Sequence, residues 1–211
     1  IIKKNKQRHL KYQYIQADLS KKKNIEIVIK KFKKDNLKID CVINCIYPKA
    51  KSWGKDFRKI KKEYLDNHFS IHLTDLIVVT RSFLKQMEKQ KFGNFIFISS
   101  IQGLGAPKFH HYVGTKMNSC IEYSIIKAGI INMTKYLAKF YKGKNIRFNC
   151  ISIGGINSNQ PKKFITNYKK SCLNKGLLDP EDINSTIEYL VSNTSKYVNG
   201  QNIIVDDGWS I

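Results

Sequence analysis

The sequence predicts an α/β fold on a parallel sheet, and three observations carry that reading. Strand-like and helix-like segments alternate along the chain. Residues 39–47 and 94–100 are nearly continuous apolar runs, as expected of strands buried on both faces. A long stretch between them is rich in apolar residues at helical spacing.

The elements follow in order. Residues 12–17 read as a strand ending in Asp18-Leu19-Ser20. Residues 24–34 read as an amphipathic helix, with Ile25, Ile27, Val28 and Phe32 recurring along it. The buried run 39–47 is the next strand. Residues 57–64 and 65–89 read as helices. Gly93 opens the strand 94–100. Residues 101–122 read as an irregular loop broken by Gly103, Gly105 and Gly114. Residues 123–141 form a helix, 145–153 a strand, and a polar segment runs on to residue 178. Asp179 caps a helix over 180–191 that starts on Pro180. Residues 201–205 are the last strand.

Open α/β sheets bind ligands at the carboxyl ends of their strands. The unusual residues fall there: Asp18, Asn44 to Tyr47, Ser99-Ser100 and Gly154-Gly155. Composition narrows the class further. The chain has 211 residues and is 42% hydrophobic, enough for one domain with a sizeable core. Its net charge is +22. Only Arg8, Arg58, Arg81 and Arg147 are arginines, and the lysines are spread along the chain. Nucleic-acid readers favour clustered, bidentate Arg, so this charge reads as a solvated lysine surface with some attraction for anionic ligands. No nucleic-acid or membrane partner is expected. The five cysteines are odd in number and lack a Cys-x-x-Cys pair. They fit reduced thiols in a cytoplasmic protein, and no metal site is expected.

Tyr123 and Lys127 carry the chemistry. Residues at i and i+4 share a helix face, so phenol and ammonium can reach one pocket. The cation is expected to lower the phenol from its usual pKa of about 10, fitting it for proton exchange with an alcohol or ketone. A second such pair, Tyr112 and Lys116, lacks the Ala128-Gly129 sequel.

With Asp18-Leu19, Asp40 to Ile46, Asn94 to Ser100, Tyr123 to Gly129, Arg147-Phe148-Asn149, Gly154-Gly155 and Val205 to Gly208 in this order, the chain resembles a classical short-chain dehydrogenase/reductase. The resemblance implies a Rossmann-like, doubly wound parallel sheet with NAD or NADP as cofactor. It also implies a homodimer or homotetramer, paired through the long helix and the helix after Tyr123. Ser100, Tyr123 and Lys127 would be catalytic, with His72 standing where the family often has Asn. Asp18, Leu19, Asn44, Ile46, Tyr123, Lys127, Gly154, Gly155 and Ile156 would touch the cofactor. The family's first two strands and its glycine-rich phosphate loop would precede Ile1. The 211 residues by themselves are therefore expected to be unstable and to hold dinucleotide poorly.

Tyr47-Pro48, His72, residues 105–109 and Gly154-Gly155-Ile156 resemble the branch linked to flagellin glycosylation and nonulosonic-acid sugars. That branch implies an anionic, sugar-type substrate. The loop 107–121, with Phe109, His110, His111 and Tyr112, is expected to lie over the site as a lid. The alternatives are a 3-oxoacyl thioester reductase and a non-catalytic, binding relative.

Overall fold

A computed structural model gives the structure and describes residues 14–19, 21–47 and 54–211. Ser20, Pro48 and the expected strand positions 12 and 13 lie outside the described residues. Four strands, β1 (Val42–Asn44), β2 (Gly93–Ser100), β3 (Ile146–Ile153) and β4 (Asn202–Val205), form one parallel sheet in the order β1-β2-β3-β4. The helices are α1 (Lys22–Lys34), α2 (Lys62–Phe69), α3 (Asp75–Gln90), α4 (Ile121–Phe140), α5 (Lys162–Lys169) and α6 (Asn184–Val191).

Side chains alternate across a strand, and the two faces of the sheet have separate cores. On one face Phe95, Phe97, Phe148 and Cys150 pack with Leu76, Leu84 and Met87 of α3 and with Ile126 and Ile130 of α4. On the other, Ile96 and Ile151 pack with Leu190 of α6. This is the doubly wound arrangement expected. Arg147 spans to α6 and the turn beyond it, donating to the carbonyls of Leu190 (2.9 Å), Ser195 (3.0 Å) and Val198 (3.2 Å).

Several local expectations change. Residues 14–18 are not a strand. The apolar run 39–47 yields only Val42–Asn44, with Ile43 40% and Ile46 48% exposed. Among the described residues β1 pairs with β2 alone, so its outer edge and one face lack the neighbours that bury a central strand. The expected helix 57–64 begins instead as a 3-10 turn, Phe57–Lys59, whose Arg58 N–H donates to the Asp56 carboxylate at 2.9 Å. The long helix is continuous from Lys62 through a π turn, Ser70–Thr74, into α3. The polar segment before residue 178 contains α5, whose buried Phe164 and Tyr168 lie four residues apart. That stripe is too narrow to stand out among lysines and asparagines. Asp179 and Asp182 form a reciprocal capping box on the 3-10 turn that leads into α6.

Among the described residues no helix is long and apolar enough to cross a membrane.

Candidate active site

The end of β2 is pinned against the first turns of α4. The Ser99 hydroxyl donates to the Lys127 carbonyl at 2.8 Å. Lys127 Nζ donates to the Ile98 carbonyl at 2.9 Å. Gly103 lies flat on the α4 backbone, where a Cβ would stand 2.6 Å from the Lys127 carbonyl carbon. Adjacent serines thus have different tasks: Ser99 ties strand to helix, while Ser100 hydrogen-bonds the Tyr123 phenol. The Ser100 hydroxyl also accepts from the Gln102 N–H at 3.2 Å. The structure brings Ser100, Tyr123 and Lys127 together at the carboxyl end of the sheet.

Electrostatics here differ from the sequence expectation. Burial raises the Tyr123 phenol above its usual pKa, and the Ser100 hydrogen bond is what pulls it down. The Lys127 ammonium stands 5.5 Å from the Tyr123 ring centroid. Burial in turn lowers Lys127 to about 8, with the Cys150 and Cys45 thiols opposing the shift. Low surroundings disfavour charge on either group, so the resting site holds a neutral phenol beside a lysine poised to lose its proton.

His72 is buried in the π turn between α2 and α3. Such bulges are frequent at functional sites because they re-aim side chains. The His72 ring stacks on Tyr47 at 4.0 Å between centroids, and Tyr47 meets Tyr123 edge-on at 5.1 Å. A cavity of about 630 Å³ opens beside them. Its lining includes Asp18, Leu19, Asn44, Ile46, Tyr47 and His72. Apolar walls with a few polar groups at this volume suit a nucleotide-sized ligand, so these residues fit the dinucleotide the fold implies.

Gly154, Gly155 and Ile156 do not line that cavity. They follow β3 at the carboxyl end of the sheet, where neighbouring groups fix their backbone. Gly154 N–H donates to the Val205 carbonyl at 2.8 Å. Gly155 N–H donates to the Tyr168 hydroxyl at 2.7 Å, and a Cβ there would stand 2.6 Å from Leu177. Ile156 forms a bridge with Leu178.

The second Tyr-x-x-x-Lys pair is not on a helix. Tyr112 ends a 3-10 turn, Phe109–Tyr112. Its hydroxyl accepts from Gln102 Nε2 at 3.2 Å, and Ser119 Oγ donates to Gln102 Oε1 at 2.9 Å. Tyr112 is close enough to Tyr123 for a charge on it to oppose ionisation there. Gln102, Tyr112 and Ser119 are therefore a polar wall beside the Ser100–Tyr123 pair. The sequence signal for Gln102 was its place two residues after Ser100; Ser119 carried none.

The loop expected as a lid is docked. His111 is buried against Phe164, Tyr168 and Trp209, with Nε2 2.8 Å from Ser171 Oγ. Burial lowers it to about 4, so the ring is neutral at pH 7. Lys108 Nζ donates to the Trp209 carbonyl at 2.6 Å and stands 4.6 Å over its ring. The loop is held by α5 and the chain's end rather than left to swing.

A family model described as Enoyl-(Acyl carrier protein) reductase matches residues 3–210. The chain is 40% identical over 198 residues to the post-translational flagellin modification protein A of Campylobacter coli, covering 93% of this chain and 77% of that protein. It is 30% identical over 204 residues to a 3-oxoacyl-acyl-carrier-protein reductase of Chlamydia muridarum, covering 94% and 76%. The crystal structure of a short-chain dehydrogenase from Leptospira borgpetersenii with bound NAD+ superposes with a TM-score of 0.86 at 29% identity, covering 98% of this chain and 80% of that one. With its parallel sheet and these likenesses, the chain belongs to the short-chain dehydrogenase/reductase family of NAD(P)-dependent oxidoreductases.

Proposed function

We propose that this oxidoreductase acts on a carbonyl or alcohol carbon of an anionic sugar, free or nucleotide-linked, destined for a bacterial surface glycan such as flagellin. The observation that carries this reading is the polar wall of Gln102, Tyr112 and Ser119 beside Ser100 and Tyr123. A hydroxyl-rich substrate can exchange hydrogen bonds with such a wall; an acyl chain would make none with it. The likeness to a flagellin modification protein supports the same reading. The net charge of +22 favours an anion.

The neutral Tyr123 phenol gives its proton to the substrate oxygen as the carbon is reduced, and takes one back in the reverse direction. Ser100 hydrogen-bonds that oxygen where negative charge develops. The Lys127 ammonium stabilises the phenolate left on Tyr123. His72 supports this group from the π turn. The bound nicotinamide dinucleotide, NAD or NADP, supplies or accepts the hydride. Asp18, Leu19, Asn44 and Ile46 would hold its adenosine half, and Tyr123, Lys127, Gly154, Gly155 and Ile156 its nicotinamide half. The five cysteines are free thiols, which suits a single domain working in the cytoplasm.

The test is turnover of the full-length protein with NADH and NADPH against a panel of phosphorylated and nucleotide-linked keto-sugars and a 3-oxoacyl thioester. Sugar turnover is expected. Turnover of the thioester alone would favour the second reading, an acyl reductase, which the Chlamydia relative supports.

The helices α3 and α4 leave Ile77, Tyr136 and Phe140 exposed around a groove of about 250 Å³ that also includes Leu84 and Met133. We assign this face to pairing of subunits, as a homodimer or within a homotetramer. Sedimentation should find no monomer at micromolar concentration; a monomer would sink the assignment.

A further inference from the structure

Lys127 is 5% exposed, and a buried ammonium needs partners to replace water. One is the Ile98 carbonyl. The others are aromatic. Its Nζ stands 4.8 Å from the Tyr47 ring centroid and 5.5 Å from that of Tyr123. The two rings are nearly perpendicular, at 84°, so the cation sits in an aromatic corner.

The Tyr47 side of this corner is backed by a column. His72 stacks on Tyr47 with only 12° between planes. His68 stacks behind His72 at 5.9 Å and 24°. At the far end His68 Nε2 lies 3.8 Å from Glu122 Oε1, and both side chains are fully buried. His68 and His72 are four residues apart, one turn of the same continuous helix. Glu122 stands on α4, next to Tyr123. The column therefore links the α2–α3 helix to the catalytic turn of α4. It is a poor proton wire. Imidazole and phenol hydrogen bonds lie in or near the ring plane, whereas these rings meet face to face. What such a stack does well is to fix the tilt of a ring.

We propose that Tyr47 is a positioning residue for Lys127: its ring, set by the His72–His68–Glu122 column, presents a π face that holds the ammonium at the site. This rests on the reading above that Lys127 serves the reaction. His72, which stands where the family often has Asn, and Tyr47 are then one coupled device. A cation held over a desolvated ring is favoured over the neutral amine, so the face acts against the burial that discharges Lys127.

The experiment is an NMR titration of the full chain labelled with 13Cε-lysine. The Lys127 resonance is identified by its loss in Lys127→Arg. Three variants are compared with wild type: Tyr47→Phe, Tyr47→Leu and Tyr47→Trp. Removing the ring is expected to lower the Lys127 midpoint by about half to one and a half pH units, the range a desolvated cation–π contact is worth. Tyr47→Phe keeps the face and should titrate as wild type; Tyr47→Trp should titrate no lower. The groups facing Lys127 are Cys45, Cys150 and Tyr123, and those facing Tyr47 are Cys120, Glu122, Tyr123 and His72. All are present in every variant, so differences report the ring.

A Tyr47→Leu midpoint equal to wild type overturns the proposal. So does a Tyr47→Phe midpoint as low as that of Tyr47→Leu, which would assign the effect to the hydroxyl. If Tyr47→Leu does not fold, a lowered midpoint in Tyr47→Trp overturns it instead. Turnover is followed in parallel. Absence of turnover in wild type would defeat the functional reading while leaving the titration to judge the column.

Discussion

Tyr123→Phe is expected to lower turnover by about 10²- to 10⁴-fold, the usual contribution of a positioned general acid or base, with little change in melting temperature. The substitution removes one oxygen and keeps the ring that meets Tyr47 edge-on and lies under Lys127. The lost hydrogen bond is the one to Ser100. That bond is worth about 0.5–1.5 kcal/mol in stability, so the two effects separate cleanly. The raised pKa of Tyr123 sharpens the prediction. A phenol protonated at neutral pH is ready to donate, and because the substitution leaves the overall equilibrium unchanged, kcat/KM should fall by the same factor in both directions. Tyr112→Phe is the necessary companion. Tyr112 shares the site through Gln102, but its 3-10 turn ends at residue 112, so no helix carries Tyr112 and Lys116 on one face. Collapse of turnover in Tyr112→Phe, with Tyr123→Phe nearly as active as wild type, would exchange the roles. Near-normal turnover in both would place the proton donor on another group, whereas no turnover in wild type would support the non-catalytic relative.

Some of this site is written locally and some is not. Tyr123 and Lys127 are legible because helical spacing alone brings them to one side of α4. The Ala128-Gly129 sequel then separates them from Tyr112 and Lys116. Strand β2 is legible because it is central and flanked on both edges, so its apolar run has the burial that the pattern implies. The similar run at 39–47 misleads for the complementary reason. Its pattern describes a strand with two neighbours, and only β2 pairs with it among the described residues. The direction of the Tyr123 shift was also beyond sequence reasoning. Spacing gives proximity to a cation, but burial decides the sign, and burial comes from Tyr47, the loop and the end of β2. Gln102, Ser119 and the His68–Glu122 pair meet through long-range packing. Nothing in their local spacing announces it. The docked loop is a further case, since its anchors on α5 and at Trp209 lie far along the chain.

Gly103 is the residue through which fold and catalysis are most tightly joined, and Gly103→Ala should damage both. The added methyl would stand 2.6 Å from the Lys127 carbonyl carbon, 2.8 Å from Ala128 N and 2.8 Å from the Lys127 carbonyl oxygen. All three are backbone atoms of α4, so no side chain can swing aside. Either the turn Ile101–Gly103 lifts or the helix retreats. Overpacking of this kind costs about 1–3 kcal/mol, occasionally more, and should appear as a lower melting temperature. The turn begins at Ser100, whose hydroxyl accepts from the Gln102 N–H. Lifting it therefore parts Ser100 from Tyr123 and drags Gln102 from Tyr112. Misplacement of reacting groups by about 1 Å can cost about 10²-fold in rate, so turnover should fall by that order in whatever fraction remains folded. Gly105→Ala is the control two residues on, where a Cβ would meet nothing within 4 Å. It should leave stability and turnover near wild type. Equal behaviour of the two variants would mean that the serine turn does not rest on the catalytic helix, and the close approach of Gly103 would lose its role in setting the Ser100–Tyr123–Lys127 geometry.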